Sequence, residues 1–395
     1  MHALYKLLGE RAAGTEGMKK ISIITPIFHG KKYINGIIAQ VEKCQEALNG
    51  LGETELLIIN DDPSVPVSET DYKSEHIAIR IFNPGVNRGI HGARVYGVNV
   101  CSGEYLVFLD QDDILYPDYI KSQMLRIGDA DAVVCRCIHE KKQFYNADMR
   151  FEDVVSAEYM MTRGNPVISA GQVMLRKGAI PKVWMTNIMK TNCADDYLLW
   201  LSMLAQNAVF SLNQDIVFEH TVNGENLSLD YKRMILSLDE MYDILAENKV
   251  FDKQKLCLIS AMRQNALSDW IALLEKFREM FLMLNRIAIY REHGSPLGKQ
   301  LRDRGIRRVA VYGDGYLGKR LMGELKEYQI KTAFFIDRNA DYLQEEVPVY
   351  KLEDAPDGMD AVLISLVRNY DEVKRSLQKK YHVAVYTMKD ILEGV

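Results

Sequence analysis

Leu106-Val107-Phe108-Leu109-Asp110-Gln111-Asp112-Asp113 passes from apolar to acidic in a single step. Four apolar residues in a row, without helical spacing, predict a buried strand. Carboxylates at the carboxyl end of such a strand lie where open α/β sheets bind ligands. Three acids this close repel one another unless a cation offsets them. Mg²⁺ and Mn²⁺ take oxygen ligands, commonly one or two carboxylates plus substrate phosphates. The stretch therefore predicts a divalent-metal site that receives a phosphorylated ligand. The competing reading is an acidic turn, since Asp is also a good turn and N-cap residue.

The flanking sequence supports a sheet. Ile21-Ser22-Ile23-Ile24-Thr25-Pro26 is an apolar strand stopped by proline, and Ile34, Ile37, Ile38, Val41 and Leu48 then recur at helical spacing. Leu56-Leu57-Ile58-Ile59 is a second strand, ending at Asn60-Asp61-Asp62. Ile77 to Phe82 is a third, followed by the loop Asn87-Arg88-Gly89 and a helix from Ala93 to Cys101. Strands alternating with helices predict a mostly parallel sheet covered on both faces. Two strands deliver acids, Asp61 and Asp110, to one edge. Further strands are expected at Ala132–Cys135 and Val167–Gly171, and a helix opens at Asp195-Asp196-Tyr197, where its dipole favours acids.

Composition narrows the class. The chain has 395 residues, 48% hydrophobic and 26% charged, with a formal net charge of −5. That balance argues against a broad nucleic-acid footprint. Six cysteines show no CxxC pair and no zinc spacing, so they read as reduced thiols of a cytosolic protein. No segment reaches the about 18 apolar residues of a membrane span, so membrane contact is at most peripheral. Residues 1–17 lack the apolar core of a secretion signal and read as a short leader.

Beyond about Leu229 the character changes. No proline occurs between Pro181 and Pro296, and Leu267, Trp270, Leu274, Phe277, Phe281 and Leu284 follow helical spacing. Residues 230–296 are expected to form a helical connector whose aromatic stripe is a packing surface or a seam between two copies. The remaining stretch, 297–395, starts again as a small Rossmann-like α/β domain. The strand Arg308–Tyr312 leads into Gly313-Asp314-Gly315-Tyr316-Leu317-Gly318, and Asp337 follows a second strand, 19 residues after Gly318. This order carries the mechanics of dinucleotide binding, with Gly313, Gly315, Gly318 and Asp337 as candidate contacts to NAD(P) or another nucleotide. No substrate domain follows, which favours a structural or sensing role over dehydrogenation.

From Met18 to Leu229 the chain resembles the family 2 glycosyltransferases, which have the GT-A fold. The resemblance is carried by Thr25-Pro26-Ile27-Phe28-His29, Asn60-Asp61-Asp62, Asn87-Arg88-Gly89 with Ala93-Arg94, Gly103-Glu104-Tyr105 running to Asp113, Asp195-Asp196-Tyr197, and His220 with Ser228. It implies an inverting transfer of a sugar from a nucleotide donor, usually a UDP-sugar, to a hydroxyl of a glycan or glycoconjugate. It implies that Thr25, Pro26 and Phe28 line the nucleoside pocket and that Asp61 meets the base. Arg94 helps place base or diphosphate, and Asp110 and Asp112 contact ribose, phosphate or metal. Asp112, Asp113 and His220 become the contacts to Mg²⁺ or Mn²⁺, and Asp196 the catalytic base. Three positions depart from the pattern: His29 replaces a frequent Asn, Asp62-Pro63 a common Gly-Ser, and Asp195 a frequent Glu. A non-catalytic sugar-nucleotide sensor and an NAD(P) enzyme built on the terminal domain are the competing readings.

Overall fold

The computed structural model describes residues 18–145, 149–222, 230–343 and 346–392. The expected leader and Ser228 lie outside them. Strand β1 (Lys19–Ile27) is buried from Ile21 to Ile27. Strands β2 (Gly52–Asn60), β3 (Ala78–Phe82) and β4 (Tyr105–Phe108) join it in the parallel order β3-β2-β1-β4. In register, Ile24 stands beside Phe108 and Ile27 beside Asn60. Helices Ile34–Leu48 and Gly89–Val100 connect these strands, their apolar faces turned to the sheet.

The order places β1 between β2 and β4, so the chain reverses its direction of growth there. A ligand crevice opens at such a switch point, beyond the carboxyl ends of the strands. Pro26 fits this opening. The β1–β4 ladder ends where the Leu109 N–H donates to the Ile24 carbonyl at 3.0 Å, so the N–H that proline lacks costs no bond to β4.

The rest of this sheet is mixed. Strands β5 (Ile114–Leu115), β6 (Ala132–His139), β7 (Lys142–Gln143), β8 (Val173–Arg176) and β9 (Phe210–His220) extend it in the order β4-β8-β6-β9-β5, with β7 beside β6. β8 runs antiparallel to both β4 and β6, whereas β6 and β9 are parallel and align His139 with His220. The strand expected at Val167–Gly171 instead starts at Val173. Ser169 turns that segment into a short 3₁₀ helix, Ala170–Gln172, by accepting the Gly171 N–H.

The chain divides into two compact units at Ala266/Leu267, inside a continuous 40-residue helix, Lys253–Glu292. The expected connector thus consists of this helix and the preceding one, Tyr231–Glu247. Leu267, Leu274, Phe277 and Phe281 of the expected packing stripe are exposed in the single chain.

The second unit carries strands β10 (Arg308–Tyr312), β11 (Lys331–Ile336), β12 (Val349–Tyr350), β13 (Ala361–Ile364) and β14 (Ala384–Thr387) in the all-parallel order β12-β11-β10-β13-β14. Val309 and Val311 join one apolar cluster and Ala310 the other, as a sheet covered on both faces requires.

The glycine-rich turn of this unit is built for packing. Gly313 has φ +98°, and a Cβ on Gly318 would stand 2.1 Å from the Gly313 carbonyl oxygen, whereas one on Gly315 would meet nothing within 4 Å. Asp337 accepts the Asp314 N–H at 3.0 Å and the Asn339 N–H at 2.9 Å, so the acid expected to meet a ribose holds the turn itself. The buried carboxylate of Asp314 occupies the same turn, an unfavourable companion for a pyrophosphate. The expectation of NAD(P) receives no support from this arrangement. Gly318→Ala is predicted to destabilise the second unit by about 1–3 kcal/mol, while Gly315→Ala stays near wild type. Thermal or urea unfolding of the full chain checks the contrast.

Candidate active site

Arg94 lies in the helix Gly89–Val100 and is 3% exposed. Its Nη2 donates to Asp110 Oδ1 at 2.6 Å and its Nη1 to Asp195 Oδ2 at 2.7 Å. The guanidinium therefore ties the end of β4 to the start of the helix Asp195–Ala205. Two acids hold it, so it serves as a bridge between these two segments. A planar fork can reach two carboxylates at once, which a Lys ammonium cannot do equally well.

Neighbouring contacts fix that helix pair. His91 Nδ1 accepts the Met189 N–H at 3.0 Å, leaving Nε2 to donate to the Trp184 carbonyl at 3.0 Å. Burial lowers the His91 pKa, which keeps the ring neutral in this role. Trp184 Nε1 in turn donates to the Asp195 carbonyl at 2.8 Å.

The loop before the Arg94 helix has equally specific demands. Asp61 is buried and its Oδ1 accepts the Arg88 N–H at 2.7 Å, so the second strand's acid anchors the third loop. Burial pushes the Asp61 pKa up, against the pull of the Arg88 and Gly89 amides. Asn87 accepts the Gly89 N–H at 2.9 Å, and Gly89 has φ +69°. A Cβ at Gly89 would also stand 2.6 Å from Asn192 Oδ1. The Asn-x-Gly pattern is thus explained by local geometry.

Asp196 follows Asp195 on the first turn of its helix and is only partly covered. Asn165 Nδ2 donates to its Oδ2 at 3.2 Å and the Tyr197 N–H to its Oδ1 at 2.7 Å. Burial of the carboxyl, followed by the Asp195 charge, raises its pKa to about 7, with Arg94 opposing and Asp110 adding to the rise. Asp110 and Asp196 therefore share one electrostatic neighbourhood although 86 positions separate them in the chain.

The other candidates take distinct places. Thr25 and Pro26 are buried at the end of β1, and Phe28 is 44% exposed beyond it. Gln111 reaches back from the acidic loop, its Oε1 accepting the Phe28 N–H at 3.1 Å. His29 Nδ1 pairs with Asp62 Oδ2 at 2.7 Å, and Asp62 also accepts from the Ser64 hydroxyl and amide. These bonds hold the Asp62 pKa down, Ser64 contributing most. The two departures His29 and Asp62 are thus partners.

Asp110 and Asp112 remain partly accessible, but Asp113 is 2% exposed. Ser169 Oγ donates to Asp113 Oδ2 at 2.7 Å and the Thr221 N–H to Oδ1 at 3.0 Å. Each oxygen of this expected metal contact thus accepts a hydrogen bond from the protein. Burial, then the Asp110 charge, drives its pKa well up. His220, next to Thr221, pairs instead with His139 across the β6–β9 ladder, Nδ1 to Nδ1 at 3.0 Å. Burial lowers both histidine pKa values.

Among the described residues, no group of three or more His, Cys, Asp and Glu side chains forms a ready cage for a metal ion. A carboxylate such as Asp112 and an imidazole such as His220 are donor types that suit Mg²⁺ or Mn²⁺, which commonly take few protein ligands and leave positions for water and substrate phosphate.

Residues 22–183 match the model of glycosyl transferase family 2. The chain carries a family 2 glycosyltransferase domain. Relatives include an uncharacterized glycosyltransferase of Rickettsia felis, 25% identical over 228 residues that make up 55% of this chain and 36% of that protein. Another is the uncharacterized glycosyltransferase YibD of Escherichia coli, 28% identical over 138 residues, 34% of this chain and 36% of that protein. The chain thus spans about a third of the length of these curated relatives. Among solved structures, S. aureus TarS 1-349 is 13% identical with a TM-score of 0.46, covering 79% of this chain and 89% of that one. Asn165, Asn192, Ser169 and His139 had no sequence signal, because each acts through a contact distant in the chain.

Arg94→Met leaves two carboxylates uncompensated and is predicted to lose about 3–5 kcal/mol of stability in denaturant unfolding, with Arg94→Lys recovering only part. Asp196 carries a raised carboxyl pKa, so its contribution to stability is complete below the ordinary value of 3.8 and lost as pH rises through about 7. Asp196→Asn is therefore predicted to gain thermal stability relative to wild type at pH 8, and less or none at pH 5.

Proposed function

We propose that the chain transfers a glycosyl group from a nucleoside-diphosphate sugar to an acceptor hydroxyl, with inversion at the anomeric carbon and Asp196 as catalytic base. The observation that carries this reading is the Arg94 bridge, which brings the acids after β4 beside the start of the Asp196 helix. A single in-line displacement needs a base on one side of the sugar and charge neutralisation at the leaving diphosphate on the other. A base with a pKa near 7 is matched to neutral operating pH, and Asn165 and the Tyr197 amide orient its two oxygens.

The donor lies across the carboxyl edge of β1, β2 and β4 in this reading, its nucleoside near Thr25, Pro26 and Phe28 and its base toward Asp61. Uridine is the favoured base by family resemblance. Asp110, Asp112 and His220 face the diphosphate. Asp112 and His220 would hold Mg²⁺ or Mn²⁺, which supplies neutralisation of the leaving group's developing charge. Asp113 supports that edge from below by fixing the backbone at Thr221, next to His220. Arg94 holds Asp110 in place. The acceptor is a hydroxyl of a glycan or glycoconjugate, and no helix among the described residues is long and apolar enough to cross a membrane.

A screen of nucleotide sugars that reads released nucleoside diphosphate, with and without Mn²⁺, tests this function. A productive donor is expected to give kcat/KM that rises with pH through an apparent pKa near 7. Asp196→Asn should lower kcat by about 10²–10⁴-fold and remove that limb while retaining donor binding. Full turnover by this variant would refute Asp196 as the base.

A further inference from the structure

His139 and His220 end paired strands in register, and their Nδ1 atoms stand 3.0 Å apart. A hydrogen bond between two Nδ1 atoms needs one proton, so one ring donates and the other accepts. His139 is the better fixed of the two. It closes a two-residue hairpin in which His139 pairs with Lys142, and the intervening Glu140 and Lys141 have φ 49° and 66°. Positive φ at both central positions matches the twist of the tightest hairpins. Phe144 further holds the imidazole edge-on, with ring centroids 5.6 Å apart at 80°. On the other strand, Asp113 grips the Thr221 amide just beyond His220. Contacts thus hold the backbone on both sides of the pair, and His139 sits 81 positions upstream of its partner.

We infer that His139 is a positioning residue whose Nδ1 accepts the proton of His220 Nδ1, so that His220 presents its unprotonated Nε2 to the divalent cation. Metal-binding histidines generally donate their second ring N–H to a neighbour, which fixes the tautomer and raises ligand basicity. A carboxylate or a carbonyl usually fills that place, and here a second imidazole does. The assignment rests on the reading of His220 as a metal contact, and its test separates the two.

Mn²⁺ binding to the full chain in the presence of UDP, followed by the electron paramagnetic resonance of free Mn²⁺, gives a readout independent of turnover. His139→Leu removes the acceptor and is expected to raise the Mn²⁺ Kd by about 10–100-fold. His139→Asn carries an oxygen close to the former Nδ1 and should retain most of the affinity. His220→Ala should weaken binding at least as much as His139→Leu. Wild-type affinity in His139→Leu beside weakened binding in His220→Ala would overturn the positioning role and leave the metal role of His220 standing. Equal loss in His139→Leu and His139→Asn would also overturn it, since the accepting atom would then be irrelevant. Unchanged affinity in His220→Ala would refute the metal contact and the inference with it. Thermal melts accompany each variant, and His139→Phe, which keeps an aromatic ring against Phe144, replaces any variant that no longer melts cooperatively.

Discussion

One buried guanidinium decides the geometry of this site. Arg94 spends both terminal nitrogens on acids from two distant segments, Asp110 after β4 and Asp195 at the start of a helix. Burying such a charge is tolerable only when it is well paired, and the pairing here is what draws the two segments together. Burial first and then the Asp195 charge raise the Asp196 pKa, with Asp110 adding to the rise and Arg94 opposing it. A structural ion network and a tuned carboxylate are therefore one object.

Around that bridge the fold supplies a ligand edge in a way the sheet order makes necessary. β1 lies between β2 and β4, and the ladder to β4 ends at Ile24, leaving Thr25 to Phe28 beside an opening. The acids are divided by task. Asp61 and Asp113 are buried and hold backbone amides, whereas Asp110 and Asp112 keep accessible surface. Within the Asp-rich stretch, the buried Asp113 accepts bonds from Ser169 and Thr221, segments distant in the chain.

Much of this was legible in the sequence where the signal was local. The strand Arg308–Tyr312 and the acids ending β2 and β4 follow from unbroken apolar runs that stop at polar residues. The run Val167–Gly171 misled because Ser169 can bond the Gly171 amide and the Asp113 carboxyl, which favours a tight turn over a strand. Arg94 could be named as a site residue, but its two partners lie 16 and 101 positions away, beyond any periodicity. His139 was invisible for the same reason, since only the β6–β9 register sets it beside His220. The terminal GxGxxG is a different case. Its spacing is genuine, yet Gly318 serves close packing against Gly313, and Asp337 holds the turn that it was expected to leave for a ribose.

A crystal structure of the full chain soaked with UDP and Mn²⁺ tests most directly whether these acids surround one donor cavity. The account predicts uracil beyond β1 near Asp61, and the diphosphate and Mn²⁺ between the Asp110–Asp112 edge and His220, with the Asp196 carboxyl opening onto the same cavity. Nucleotide bound away from the β1–β4 opening, or an Asp196 carboxyl separated from the diphosphate by packed protein, would contradict it.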